Sequence, residues 1–81
     1  MVRVKPREET DVHRIEDSYR LAYLTGKKSL RWMIGIIRSS SLRGSKLLAA
    51  LDRIDKQIVL DESSKKRVDE LRRELERLGF I

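Results

Sequence analysis

The chain contains no cysteine, one proline and one histidine, and aromatic residues make up 5% of its 81 positions. Without cysteine, neither a disulfide scaffold nor a cysteine-ligated zinc site can form. No apolar run approaches the roughly 20 residues that a membrane-spanning helix needs. The N-terminal sequence MVRVKPREE is too charged for a secretory signal peptide. These absences favour a small, single-domain cytoplasmic protein that has no membrane partner.

Groups that could support catalysis are equally scarce. His13 is the only histidine, so no histidine pair at metal-ligand spacing exists. The carboxylate pairs Glu8–Glu9 and Asp61–Glu62 are adjacent in sequence, so on a helix their side chains would point about 100° apart instead of converging on a substrate. The serine-rich segment lacks the G-x-x-x-x-G-K-[ST] pattern of a phosphate-binding loop. We therefore expect no enzyme activity, no cofactor and no metal.

Side-chain amides are nearly missing, whereas charges are abundant. The chain has no asparagine and one glutamine, against 19 lysines and arginines and 13 acids, and its net charge is +6. Many charges combined with few thermolabile amides are typical of proteins from thermophiles. We therefore expect a thermophilic source.

Hydrophobic periodicity predicts an all-α protein. Apolar residues recur at three- and four-residue intervals in four segments, as on one face of an amphipathic helix. Gly26, the serines at 39–41 and the acidic capping sequence from Asp61 separate these segments. They are expected to form a small three- to four-helix bundle, a single domain over residues 11–81, with helices at about 11–24, 28–38, 41–60 and 62–78.

The ends of this bundle are less regular than its middle. Residues 1–10 alternate apolar and basic side chains before Pro6 and predict an extended basic N-terminal arm. Thr10 or Asp11 would then cap the first helix. The leucine seam of the last helix either packs within the chain or pairs with another copy or a larger assembly.

The few aromatic residues are assigned mainly to the core. Tyr19 and Trp32 lie on apolar helix faces, so both are expected to be buried, whereas Tyr23 is expected to be half exposed. Exposed aromatic rings are the usual platforms on which single-strand-binding proteins stack bases. Their scarcity favours contacts with a nucleic-acid backbone over base stacking.

The net charge lies entirely in the middle third of the chain. Residues 1–26 hold five bases and five acids, residues 51–81 hold eight of each, and residues 27–50 hold six bases and no acid. A surface of one sign repels itself unless a polyanion relieves it, and nucleic acid is the commonest polyanion. A merely solvated helix face and a surface for an acidic protein are the alternative interpretations.

Spacing places several of these bases on one side of the second helix. At 100° per residue, Lys27, Lys28, Arg31 and Arg38 share a stripe with Gly35, which would let a nucleic-acid backbone approach closely. Serines near the start of the next helix would offer amides and hydroxyls to phosphate oxygens. The predicted nucleic-acid-binding residues are Lys27, Lys28, Arg31, Arg38, Ser40, Ser41, Arg43, Ser45 and Lys46, together with Arg3, Lys5 and Arg7 of the arm.

The favoured function is binding of an RNA backbone, as an accessory component of a ribonucleoprotein such as a ribosomal subunit. RNA is preferred to DNA mainly because the arm could thread into the grooves of a folded RNA. The first alternative is a DNA-associated protein, either a chromatin or regulatory dimer or a basic subunit of a replication enzyme. The second is a helical adaptor that binds only protein. Its binding affinity would be insensitive to salt, unlike that of the nucleic-acid-binding alternatives.

Overall fold

Four amphipathic segments fold as α-helices, and the described part of the chain contains no strand. The computed structural model describes the backbone of residues 7–81, with side chains from residue 9 onward. None of the helices described is long and apolar enough to cross a membrane. The expected all-α bundle is confirmed, and its helices are α1 (Arg7–Ser18), α2 (Leu30–Arg38), α3 (Gly44–Gln57) and α4 (Glu62–Arg77).

The helix boundaries differ from the sequence prediction in α1, α2 and α3. α2 begins at Leu30 instead of near residue 28, so Lys27 and Lys28, which the sequence places on its basic stripe, precede the helix. α1 already includes residues 7–10, which the sequence assigns to the arm, and the arm residues 1–6 lie outside the described part of the chain. α3 begins at Gly44 instead of near Ser41 and ends at Gln57, short of Leu60. The break between α2 and α3 is present, because the hydroxyls of Ser39 and Ser40 donate to the carbonyls of the last turn of α2, at 2.9 and 2.7 Å.

Side chains cap the starts of two helices. Ser29 Oγ accepts a hydrogen bond from the Trp32 amide of α2 at 3.2 Å, and Asp61 Oδ1 accepts one from the Ser64 amide of α4 at 2.8 Å. Each bond satisfies an amide that has no partner inside its helix. The bond from Ser64 also holds the pKa of Asp61 below its usual value.

Asp11 does not cap α1, because it lies inside the helix and is buried. Its Oδ2 accepts hydrogen bonds from both the backbone amide and the hydroxyl of Ser41, at 2.8 and 2.7 Å. A buried carboxylate needs such partners to offset the loss of its hydration. Asp11 therefore ties α1 to the turn between α2 and α3.

α1 continues into a π-helical turn, Tyr19–Tyr23, in which the Leu24 amide donates to the Tyr19 carbonyl at 2.9 Å. Both tyrosine rings are fully buried and stacked, with their centroids 6.0 Å apart. Their hydroxyls donate to Asp55 Oδ1 on α3 and to the Arg67 carbonyl on α4, each at 2.6 Å. The expectation of a half-exposed Tyr23 is wrong, because Tyr23 follows Tyr19 by four residues on the same helix face and its ring is covered by Arg67 of α4.

The core is one cluster of apolar side chains drawn from all four helices. Trp32 is half-buried and not part of it, because Met33, Ile34 and Ile37 occupy the inward face of α2. In the leucine seam of α4, Val68, Leu71 and Leu75 are buried within the chain, so this part of the seam packs internally. The core residues are Ile15, Tyr19, Tyr23, Leu24, Met33, Ile34, Ile37, Leu42, Leu47, Ala50, Leu51, Ile54, Val68, Leu71 and Leu75.

Candidate nucleic-acid interface

A groove runs between α2 and α4, on the side of α2 that carries its basic stripe. Its volume is about 550 Å³, within the range of about 300–1,000 Å³ that ligand-binding pockets have. Three arginines, one carboxylate, one glycine and three aliphatic side chains meet there. They are Arg31, Arg38, Arg77, Glu74, Gly35, Leu30, Ile34 and Leu78.

Arg31 and Arg38 are the unpaired cations of this groove. They are seven residues apart, so they lie on the same side of α2 and about 10 Å apart along its axis. Both are exposed, and no carboxylate of residues 9–81 lies within ion-pair distance of either. Their charges are therefore available to a ligand in the groove.

Glu74, the carboxylate of the groove, is already held by a neighbour on its own helix. Arg77 donates two hydrogen bonds to it, one of them from Nε to Oε2 at 3.2 Å. These bonds lower the pKa of Glu74 and raise that of Arg77. Because the pair neutralises itself, the net positive charge of the groove comes from Arg31 and Arg38.

Most other arginines of the described residues are committed to the fold. Carboxylates pair with Arg20, Arg53, Arg72 and Arg77, and backbone carbonyls accept hydrogen bonds from Arg43 and Arg67. Arg14 and Arg73 are exposed and unpaired, but neither lines the groove. Among residues 9–81, the groove is where two arginines without a carboxylate partner share one helix face.

Lys27 and Lys28 lie in the loop that precedes α2, and both side chains are exposed. Their backbone amides donate to the Ala22 carbonyl at 3.0 and 3.1 Å, and Arg67 of α4 donates to the Lys28 carbonyl. Lys28 Nζ lies 5.7 Å from the centre of the Trp32 ring. The loop is thus fastened to the fold, and it holds both lysines next to the start of α2.

Two of the predicted serines are used by the fold. Ser40 is buried, donates to the Ile37 carbonyl and accepts from the Leu42 amide, so it cannot reach a phosphate. The amide and hydroxyl of Ser41 both donate to Asp11. Neither serine belongs to the interface, because a serine-rich turn uses its own donors to end a helix and to bind a neighbouring one.

Arg43 is also a structural residue and not a candidate phosphate ligand. Its Nη1 donates to the carbonyls of Ile37, Ser40 and Leu42 at 2.6–3.2 Å, and its Nη2 donates to that of Arg38 at 3.2 Å. These bonds within the chain occupy both terminal nitrogens of the guanidinium group, which carry four of its five N–H donors. The charge of Arg43 thus stabilises the turn between α2 and α3.

The remaining predicted residues lie away from the groove or outside the described chain. Ser45 is exposed in the first turn of α3. Lys46 lines a separate depression between α1 and α3, together with Val12 and Arg53. The backbone of Arg7 starts α1, and Arg3 and Lys5 lie outside the described residues. The candidates whose side chains are described therefore do not form one surface.

The contribution of α4 to the groove was missed by sequence reasoning. Glu74, Arg77 and Leu78 come from a third of the chain whose charges cancel, so charge counting gives no signal there. The i,i+3 spacing of Glu74 and Arg77 does predict their ion pair. That α4 lies against α2 follows from tertiary packing, which no local pattern in this sequence encodes.

The half-buried aromatic rings near the basic residues are covered by cations. Arg43 and Arg38 lie 4.4 and 5.9 Å from the centre of the Phe80 ring, and Lys28 lies over Trp32. These rings therefore do not offer open faces for base stacking. Among the described residues, no group of three or more histidines and acids is placed to hold a metal ion.

The geometry thus brings four of the predicted bases, Lys27, Lys28, Arg31 and Arg38, to α2 and the loop before it. Comparison with known proteins adds no relative to this picture. No protein-family model matches the chain, and neither the search of curated proteins nor the search of solved structures finds a match.

Proposed function

We propose that this protein binds the phosphate backbone of RNA, as an accessory component of a larger ribonucleoprotein. The binding surface is the groove between α2 and α4 together with Lys27 and Lys28. The observation that carries the proposal is the pair of groove arginines, Arg31 and Arg38, which have no carboxylate partner in the described chain.

These two arginines differ from most other arginines of the described chain in having neither a carboxylate nor a carbonyl partner for their side chains. The chain has 13 acids, and four other arginines form ion pairs with carboxylates. Two more donate hydrogen bonds to backbone carbonyls. A guanidinium group that has no carboxylate partner within the described chain can pair with an anionic ligand instead. The planar fork of arginine matches the oxygens of a phosphate and binds them with two parallel hydrogen bonds.

The shape of the site favours a single strand over a duplex. A groove lined by one short helix and part of another reaches a single strand more readily than the two backbones of a duplex. Unpaired loops and bulges, which expose single strands, are the usual targets of RNA-binding proteins. The groove and the two lysines therefore fit a local, irregular stretch of RNA backbone.

Salt titration of binding to a structured RNA tests the proposal. Each phosphate that the protein neutralises adds about 0.7 to the steepness of log K against log salt on a single strand, and about 0.9 on duplex DNA. The double variant Arg31→Gln/Arg38→Gln, which removes two such phosphate ligands, should therefore make the slope shallower by about 1.4–1.8. Its matched control is Arg14→Gln/Arg73→Gln, which removes the same charge from exposed, unpaired arginines outside the groove.

A second pair of variants tests the lysines in the same way. Lys27→Gln/Lys28→Gln should weaken binding, whereas Lys65→Gln/Lys66→Gln, another adjacent and exposed pair on α4, should change it little. Equal effects of groove and control variants would show that net charge alone drives association. Binding that does not respond to salt would favour the protein-only adaptor, and a preference for duplex DNA would favour the DNA-associated alternative.

A further inference from the structure

Gly35 is the one glycine that the fold does not explain. The other three glycines of the chain, Gly26, Gly44 and Gly79, have positive φ angles that favour glycine. Gly35 lies inside α2 with helical geometry, where glycine is less stable than alanine. A Cβ atom placed on it would meet no atom within 4 Å, so packing within the chain does not require its small size either.

The small size of Gly35 matters because of its position in the groove. It lines the groove on the same face of α2 as Arg31 and Arg38, four residues after the first and three before the second. The missing side chain leaves the helix backbone open between two unpaired guanidinium groups. Glycine is the residue that permits such close approach of a ligand to a backbone.

We propose that the groove receives an unpaired nucleotide of an RNA, whose sugar–phosphate backbone crosses α2 at Gly35. This inference rests on the proposed function and specifies the form of RNA that the site selects. Arg31 and Arg38 bind the phosphates on either side of the crossing. The nucleobase lies against the apolar wall of the groove.

The apolar wall is what distinguishes an unpaired nucleotide from a duplex. Leu30, Ile34 and Leu78 line the groove beside the arginines. A duplex presents phosphates, sugars and base edges to such a wall, whereas the apolar face of a base is exposed only when that base is unstacked. Burying the face of a base against these side chains removes apolar area from water.

The test compares two RNA hairpins of equal phosphate number in which a non-nucleotide linker replaces the loop, one with a fully paired stem and one with a single bulged nucleotide. The protein should bind the bulged hairpin about tenfold more tightly, because only that hairpin can bury the face of a base. Gly35→Leu should abolish this preference, because its side chain would cover the stretch of α2 backbone that the nucleotide crosses. It should lower the affinity for the bulged hairpin more than the affinity for the paired one.

Gly35→Leu and Gly35→Ala keep the test independent of folding, because both replace a helical glycine by a better helix former and should raise the melting temperature. Gly35→Ala, which adds one methyl group, should retain most of the preference. Equal binding of the two hairpins by the native protein, or a preference that survives in Gly35→Leu, would overturn the inference while leaving phosphate binding intact. Absence of salt-dependent binding to both hairpins would overturn the proposed function as well.

Discussion

The guanidinium group of Arg43 lies 4.4 Å from the centre of the Phe80 ring. Beside it, the amide of Gly44 donates to the Phe80 carbonyl at 2.7 Å. Phe80 follows the glycine that ends α4, and its own amide donates back to the Leu75 carbonyl at 2.8 Å. These contacts fasten the C-terminal residues to the turn between α2 and α3, so this turn is held from two directions, by Asp11 and by Phe80.

Replacing Arg43 should therefore affect stability and not ligand binding. Arg43→Gln removes charge-assisted hydrogen bonds to four carbonyls and the interaction with Phe80, and we expect it to lower the free energy of unfolding by about 1–3 kcal/mol. Arg38→Gln, which removes an exposed side chain near the same ring, should change it by less than about 0.5 kcal/mol. Urea unfolding measures both. Comparable destabilisation by the two variants would mean that Arg38 is also structural.

The two tyrosines of the chain predict an alkaline limit to its stability. Burial raises the pKa of Tyr23 to about 12 and raises the pKa of Tyr19 even further, and Asp55 adds to the shift of Tyr19. The folded state thus retains these protons above pH 10, where tyrosines of the unfolded chain lose theirs. The two neutral hydroxyls therefore make their full contribution to the free energy of unfolding below pH 10, and this contribution falls as the pH rises towards 12.

Ultraviolet absorbance of tyrosinate checks this, because both tyrosines of the chain are buried and no exposed one obscures the signal. We expect little tyrosinate at pH 10 to 11, followed by a rise that coincides with loss of helical circular dichroism. A normal titration near pH 10 in a protein that remains folded would contradict the burial of both rings.

The helices could be predicted from the sequence because each has a clear apolar stripe. In α3, Leu47, Leu51 and Ile54 are buried as their spacing requires. The start of α3 could not be placed, because Ser41 has the chemistry of a helix cap but donates instead to Asp11, thirty residues earlier. A local pattern does not reveal a partner so distant in sequence.

The candidate site was partly predictable for the same reason. The stripe of Arg31, Gly35 and Arg38 follows from helical geometry alone, and it lines the groove. The sequence alone makes Arg43 as good a candidate phosphate ligand as Arg31 or Arg38, since its charge is identical and it lies in the same acid-free stretch. Only the fold shows that its donors are taken by carbonyls, and only the fold supplies the α4 side of the groove.

Trp32 provides an internal probe of binding, because it is the only tryptophan and lies half-buried under Lys28. If RNA phosphates bind Lys28 and Arg31, the ammonium group of Lys28 should shift relative to the indole ring of Trp32. We expect the tryptophan emission to change on addition of RNA, and quenching by iodide to decrease as the site is covered. The Lys28→Gln variant should show a smaller change in emission.

An acidic homopolymer such as polyglutamate serves as the comparison for this experiment. Its carboxylates can bind arginine as phosphates do, but it has no sugar or base, so it should alter Trp32 emission less than RNA at equal charge concentration if the site recognises a nucleotide. Equal responses would indicate a general anion-binding surface. Unchanged emission at saturating RNA would place the bound backbone away from Lys28.

Glu74 gives the sharpest test of where the backbone lies, because it is the carboxylate that lines the groove. Glu74→Gln removes a negative charge close to the proposed phosphate path and releases Arg77, so we expect RNA affinity to rise about three- to fivefold at 0.1 M salt. Glu76→Gln makes the same change of net charge on the same helix, about 200° around its axis and outside the groove lining. At 0.1 M salt, charges more than about 10 Å from the phosphates are largely screened, so Glu76→Gln should have little effect. Equal gains from both variants would mean that RNA responds to the overall charge of the protein and does not enter the groove.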